Sequence, residues 1–496
     1  MPSVTNILLI TTDQHRYDTL GCYGAPVCET PNLDALARAG VKFTRAFTNT
    51  AICTPARTSL LTGYAPFRHR MLANPGRNVG YPQEIPDDIP VLPAYLKPAG
   101  YACGNIGKWH VGLTRGPAYY GFDGEHYEGW HPPYRHPDYL AYLQENNLPR
   151  FSTRDIVRGV FANGRPSNPQ MGVHDAPVEA TYPYFLAERT IQQLHQYAQR
   201  RENTSQPFFL ACQFFGPHLP YFLPESVLNR YDPSLVERHP SMDETFAGKP
   251  TVQKYYNLHW AFDTYTWTDW QKIVAAYWGY VNLIDQQIGR ILTALDQLGL
   301  KETTAIFFTA DHGGFVGNHR LADKGPAMYD DIYRIPLLIS WPGVTKPGTS
   351  CDAMVTLMDL MPTFLEIAGV DIPNNLDARS LLPLLKDPAT DWSTEIFAEF
   401  HGHHFPYPQR MIRTQTHKLV ISPADKNELY HLQTDPYELT NLYDHPAYAE
   451  IQKDLMTRLY EHLVASGDKF HHWLPTMYSI NKSTYANLKD PAQIRG

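Results

Sequence analysis

Asn6-Ile7-Leu8-Leu9-Ile10-Thr11-Thr12-Asp13-Gln14 is an unbroken apolar run that ends in two polar side chains. A run without polar alternation is the pattern of a strand buried on both faces, as in a parallel sheet. Open α/β sheets of that kind gather their ligands at the carboxyl ends of the strands, which makes Asp13 a candidate metal ligand; capping the next turn is the other reading. Thr303–Ala310, followed by Asp311-His312-Gly313-Gly314, repeats the arrangement, with glycines that let the backbone come close. Two such tips in one sheet can converge. Tyr101–Ile106 runs into Gly107-Lys108-Trp109-His110, and Pro207–Phe215 empties into Gly216-Pro217-His218-Leu219-Pro220. Lys108 and His110 can face the same side of an extended segment, although spacing alone favours a solvent-facing lysine and a core histidine. The fold class is therefore α/β.

Between these strands, Thr30-Pro31-Asn32-Leu33-Asp34 is expected to open a helix through Gly40 with Thr30 as its cap, and Val41–Phe47 a strand. Cys53-Thr54-Pro55-Ala56-Arg57-Thr58-Ser59-Leu60-Leu61-Thr62-Gly63 then reads as a helix with proline in its first turn and glycine as its stop. Cys53 so sits at the positive end of a helix, where an anion is favoured. Further helices are expected over Val91–Gly100, Thr268–Leu298 and Thr356–Gly369, and a strand over Ile335–Trp341. Residues 115–180 show little periodicity and much Tyr, Trp, His and Pro, as in Tyr127-Glu128-Gly129-Trp130-His131, and are expected to form an irregular substrate-facing loop.

Cys-x-Pro-x-Arg followed by Ser-Leu-Leu-Thr-Gly resembles the signature of the type I sulfatases, in the alkaline-phosphatase-like superfamily. Gly107-Lys108-Trp109-His110 resembles their second signature, and Glu428-Leu429-Tyr430-His431-Leu432 with Asp435–Leu442 their C-terminal part. The resemblance implies a large, mixed, mostly parallel sheet flanked by helices. It implies that a formylglycine-generating enzyme converts Cys53 to formylglycine, whose gem-diol is the nucleophile toward a sulfate monoester. It implies one divalent cation held by Asp13, Gln14, Asp311, His312 and the modified Cys53. Many sulfatases carry an aspartate where Gln14 stands; calcium is the first expectation, with manganese or magnesium open. By the same resemblance Arg57 steadies the nucleophile, Lys108 and Lys324 neutralise the sulfate, His110 is the base for sulfate release, and His218 with Lys324 protonates the leaving oxygen.

Two other functions compete. Some superfamily members with Asp-Gln and Asp-His pairs hydrolyse phosphonate or phosphate monoesters, but Gly-Lys-Trp-His and Pro-His-x-Pro favour sulfate. A non-catalytic saccharide-binding descendant would have lost catalytic groups that this sequence keeps.

The 496 residues suffice for a catalytic domain over 1–384 and a smaller C-terminal subdomain of antiparallel strands and a helix over 385–496. Net charge of -8 argues against a nucleic-acid partner, and no segment approaches a membrane span. Six scattered cysteines argue against a disulfide framework. The first residues lack a signal peptide's basic start and apolar run, so the expectation is a cytoplasmic protein, or a periplasmic or secreted one whose signal has been removed. Aromatic residues at 13% suit a sulfated saccharide or another small sulfate ester. His401, His403, His404, Arg410 and Arg413 are expected to form the substrate rim; a second metal site and plain loop histidines are the other readings of the histidines.

Overall fold

The computed structural model describes residues 5–76, 80–127, 129, 131–472 and 474–478. A nine-stranded sheet runs through its centre in the order Arg334–Ile335, Val41–Phe47, Leu337–Ser340, Thr304–Ala310, Asn6–Thr12, Phe208–Gln213, Ala102–Lys108, Asp123–Tyr127, with Thr349–Thr356 alongside Val41–Phe47. The four strands from Thr304–Ala310 to Ala102–Lys108 are mutually parallel, and Leu337–Ser340 makes the sheet mixed by pairing antiparallel. Because side chains alternate across a strand, Leu8 and Ile10 enter one core while Ile7 and Leu9 enter the other. Helices Tyr182–Thr204 and Trp267–Gln297 cover the first face; Cys53–Thr62 and Leu360–Ile367 cover the second. The long helix starts in a capping box, in which the Thr266 hydroxyl accepts from the Asp269 N–H and Asp269 accepts from the Thr266 N–H.

Register decides where the polar tips lie. Thr12 stands opposite Ala310 and Gly107 opposite Gln213, so Asp13, Asp311, Lys108 and the loop after Gln213 leave the sheet along one edge.

Four expectations need correction. Val91–Gly100 yields only the helical turn Pro93–Leu96, since Pro98 has no N–H to carry the ladder onward. Thr30 takes the N-cap position of its helix, Pro31–Ala39, as expected, but its side chain makes no capping bond: its hydroxyl donates to Asp34 and accepts from the Gly21 N–H. Residues 115–180 are built rather than irregular. They add Asp123–Tyr127 to the sheet edge, a helix Pro137–Glu145, and two strands, Thr153–Val157 and Met171–His174, that join Tyr221–Pro224 in a three-stranded sheet. Many of their aromatics are core: Tyr127 and Tyr139 pack against Tyr182 and Phe185 with ring centroids 5.0–5.8 Å apart. Glu128 and Trp130 lie outside the described residues. In addition, Pro336 splits the expected strand into Arg334–Ile335 and Leu337–Ser340.

A four-stranded antiparallel sheet, Glu395–Gly402, Pro406–Thr414, His417–Ile421 and Glu428–His431, packs Ile412, Leu419 and Leu429 against Leu455, Leu459 and Leu463 of helix Ala449–Ser466. It meets the main body through buried charge: Asp330 takes Lys418 at 2.6 Å and Arg413 at 2.8 Å. Among the described residues no helix is long and apolar enough to cross a membrane. All six cysteines are free thiols.

Candidate active site

Helix Cys53–Thr62 is buried along its whole length and ends at Gly63, whose φ of 70° suits the left-handed turn that closes it. Arg57 follows Cys53 by one turn and so shares its face. Thr54 ties the helix to two loops, donating from its hydroxyl to the His110 carbonyl at 2.7 Å and from its N–H to Asn74 at 3.1 Å. The chain thus presents Cys53 and Arg57 to the edge where the strand tips emerge.

Ligating atoms of Asp13, Cys53, Asp311 and His312 all lie within 4.8 Å of one another, and all are buried. Cys53 Sγ is 3.2 Å from His312 Nε2 and 3.7 Å from Asp13 Oδ1. His312 Nδ1 lies 2.7 Å from the Gly313 carbonyl, which fixes the proton there and leaves the Nε2 lone pair facing the cluster. Asp311 Oδ1 accepts the N–H groups of Gln14 and His312, while its Oδ2 takes Arg57 Nε at 2.9 Å. Gln14 is held in a left-handed conformation, φ 61°, with its carbonyl accepting the Tyr277 hydroxyl. Both polar atoms of its buried carboxamide lack a hydrogen-bond partner. Such a group costs about 1–3 kcal/mol unless something completes it. Carboxylate and amide oxygens plus one imidazole nitrogen are a donor set that fits a divalent cation, and the orphaned carboxamide is where that fit is tested on this chain. Gly314 makes the room: a Cβ there would stand 2.8 Å from Gln14 Cγ.

Basic groups surround the acids. Lys108 pairs with Asp13 Oδ2, and Arg57 Nη2 lies 3.7 Å from the same oxygen. Burial opposes ionisation of Asp13, yet Lys108, His218 and Arg57 hold its carboxyl well below the usual range. Lys324 Nζ is 2.8 Å from His218 Nε2 and 3.2 Å from Asp323. His218 Nδ1 lies 2.5 Å from the Leu219 carbonyl and donates to it, so Nε2 is the atom that accepts from Lys324. Burial, then Lys324, push His218 down to about 3. Burial would lower Lys324 too, but Asp323, Cys53 and Asp13 more than offset it and raise the ammonium. In the resting pair the transferable proton is therefore on Lys324. His110, at φ 47° and buried, has an Nδ1 without a hydrogen-bond partner; burial and Lys108 press it well below its ordinary value.

Cys53, Arg57, Lys108, His110, His218 and Lys324 thus stand around one center with Asp13, Gln14, Asp311 and His312. The expected rim does not hold together. Arg410 is buried against Asp468 at 2.6 Å, Arg413 against Asp330, and His401 against Glu399 at 2.6 Å. Each answers a carboxylate that is buried or, for Asp330, mostly shielded, a demand invisible without the fold. His403 and His404 do line a cavity of about 150 Å³ together with His218 and Lys324.

Sequence reading also missed residues. Gln213 accepts from Arg57 Nη1 at 2.7 Å, and it is the polar residue closing an apolar strand, the same signal that singled out Asp13. Asn74 and Asp323 gave no such signal.

A family model described as Sulfatase matches residues 5–370, and one described as N-sulphoglucosamine sulphohydrolase, C-terminal, matches residues 317–465. The chain is 30% identical over 469 residues to an arylsulfatase of Clostridium perfringens, covering 90% of this chain and 91% of that protein. It is 28% identical over 509 residues to an N-acetylglucosamine-6-O-sulfatase of Bacteroides thetaiotaomicron, covering 92% and 86%. Among solved structures, the phosphonate monoester hydrolase from Silicibacter pomeroyi matches with TM-score 0.78 at 25% identity, over 94% of this chain and 96% of that one.

Proposed function

The chain belongs to the sulfatase family and is a sulfatase enzyme, and from that premise we propose that it cleaves the sulfate monoester of a small sulfated saccharide with formylglycine derived from Cys53 and one divalent cation. The observation that carries the reading is the approach of Asp13, Cys53, Asp311 and His312 to within 4.8 Å beside Arg57, Lys108 and the Lys324–His218 pair. The cation, calcium first and manganese or magnesium otherwise, supplies polarisation of the sulfate oxygens when bound to Asp13, Gln14, Asp311 and His312. Formylglycine supplies an oxygen nucleophile and replaces the soft sulfur in an otherwise oxygen and nitrogen donor set.

The chain's own residues do the rest. Lys108 and Lys324 offset the charge of the sulfate oxygens, and Arg57, fixed by Asp311 and Gln213, orients the group at position 53. Lys324 delivers its proton to the departing alcohol oxygen, and His218, accepting from the ammonium at Nε2, holds Lys324 in place. His110, kept neutral, is the base that accepts a proton as sulfate leaves. An N-acetylglucosamine-6-O-sulfatase among the relatives supports a sugar sulfate as substrate.

The similarity to a phosphonate monoester hydrolase, together with the Asp-Gln and Asp-His pairs, favours a second reading, phosphonate ester hydrolysis. Parallel kinetics on 4-nitrophenyl sulfate and phenyl 4-nitrophenylphosphonate test the choice. Higher kcat/KM on the sulfate is expected; a much higher value on the phosphonate overturns it. Intact mass before and after maturation reports whether Cys53 has become the aldehyde.

A further inference from the structure

The ligating atoms that meet at position 53 include a sulfur for as long as Cys53 is the residue the sequence encodes. Cys53 Sγ lies 3.2 Å from His312 Nε2 and 3.7 Å from Asp13 Oδ1. His312 Nε2 in turn lies 3.7 Å from Asp13 Oδ1 and 3.7 Å from Asp311 Oδ1. Zinc bonds of about 2.0–2.3 Å at tetrahedral angles set neighbouring ligand atoms about 3.3–3.7 Å apart. The four edges fall on that span or just outside it. The other carboxylate oxygens are spent elsewhere, Asp13 Oδ2 on Lys108 and Asp311 Oδ2 on Arg57, so each acid offers its Oδ1 to the cluster. His312 Nδ1 is held by the Gly313 carbonyl at 2.7 Å, the kind of outer bond that orients a metal-binding imidazole.

Donor chemistry then chooses the ion. A thiolate is a soft ligand that suits zinc, whereas calcium takes about six to eight oxygens. With sulfur in the set, the encoded chain is a poor host for calcium. Charge agrees: one thiolate and two carboxylates exceed a divalent ion by a single negative charge, and Lys108 and Arg57 stand beside the acids to offset it. A tetrahedron completed by protein atoms also leaves no position for a sulfate oxygen, which is the mark of a structural zinc site and not of a catalytic one.

We infer that the chain with Cys53 unmodified is a closed, thiolate-ligated zinc site, and that conversion of Cys53 to formylglycine dismantles it, leaving a site for an oxygen-seeking cation. As the metal–sulfur bond forms, the thiol proton passes to the buffer. The inference rests on the cation reading above for the place of the ion and owes nothing to which ester is cleaved.

The test uses the full chain made without the formylglycine-generating enzyme, with intact mass confirming an unmodified cysteine, stripped by a chelator and kept reduced. Cobalt(II), a coloured stand-in for zinc, is expected to bind one-to-one with a near-ultraviolet sulfur-to-cobalt charge-transfer band and the strong visible bands of a tetrahedral ion. Zinc is expected to bleach both at one equivalent, and calcium in about 100-fold excess to leave them. Cys53→Ser keeps the shape and the other five cysteines, and circular dichroism checks its fold. It is expected to lose the charge-transfer band and to bind zinc at least about tenfold more weakly, the low end of what losing even a residue that merely holds a ligand costs. Matured protein is expected to show no charge-transfer band. Absence of the band in the unmodified chain, its survival in Cys53→Ser or in matured protein, bleaching by calcium, or a loss of zinc affinity below about tenfold overturns the inference. None of these readouts involves an ester. A chain that proves to cleave only phosphonates therefore leaves the zinc site standing, and a failed titration leaves the sulfate reading standing.

Discussion

Arg57 holds oxygens from separate strands at once: Asp311 Oδ2 at 2.9 Å, Gln213 Oε1 at 2.7 Å and the Lys108 carbonyl at 3.3 Å. Arg57→Ala leaves Asp311 buried beside a void and without its ion pair, a loss of about 3–5 kcal/mol. It also removes a charge aimed at the reacting group, so kcat is expected to fall by about 10²–10³. Denaturation and steady-state kinetics on the same variant read both; a drop in stability with kcat intact would mean the side chain is only a strut. Gln14 predicts the opposite pairing. Its carboxamide bonds to nothing in the protein, so Gln14→Ala is expected to leave the melting temperature of the metal-free protein near the parent's while bound cation falls. Metal content after dialysis checks this, and an unchanged content would remove Gln14 from the ligand set. At this scale Asp13 and Asp311 were readable because an apolar run made their position special. Arg410 and Arg413 were not, because an arginine that answers a buried carboxylate looks in sequence like one that meets solvent.

The turn Asp330–Tyr333 shows how an element supports the site without touching its chemistry. A Cβ on Gly313 would come within 2.1 Å of the Asp331 carbonyl, so this turn packs directly beneath the loop that follows the ligands. Asp331 is mostly shielded from solvent and takes Arg16 Nη1 at 2.6 Å, with His319 at 3.5 Å. Burial would raise its carboxyl, but Arg16 and His319 hold it far below the usual value. A carboxyl depressed in the folded state contributes stability that is fully present above its unfolded pKa and is lost as pH falls from there toward the folded value. Asp331→Asn is therefore expected to weaken the protein at neutral pH and to flatten the fall of stability below about pH 4, where the unfolded carboxyl begins to protonate. Acid unfolding followed by tryptophan fluorescence checks it; parallel curves for parent and variant would contradict it. The buried strands and the long helix were legible because each is one unbroken pattern. Residues 115–180 were not, since their strands are four or five residues long and their aromatics pack by contacts that leave no period in the sequence.

In the whole molecule, the C-terminal sheet is fastened to the catalytic body by Lys418, which is fully buried and reaches the Met328 carbonyl at 3.0 Å, Asp330 at 2.6 Å and Glu438 at 2.6 Å. Lys418→Met keeps the bulk, strands Glu438 and leaves Asp330 with Arg413 alone, and a loss of about 3–5 kcal/mol is expected in chemical denaturation. Within about 1 kcal/mol of the parent, the network would count as a surface-like pair. That the mixed sheet carries an antiparallel companion was foreseeable from two stretches of unlike texture. That the two would be joined through buried ions was not, because every partner lies far away in sequence.

Strand Asn6–Thr12 cannot complete its ladder until Thr304–Ala310 has been made, for the two are direct neighbours. During synthesis at about 5–20 residues per second, some 250 residues separate the emergence of Cys53 from that of its closing strand, an interval on the order of 10–50 s. Afterward the thiol has no exposure at all. On the formylglycine reading proposed above, a catalyst that must grasp the nascent segment around position 53 has that window in which to act, so the speed of the ribosome and the abundance of that catalyst would jointly set what fraction of finished chains is competent.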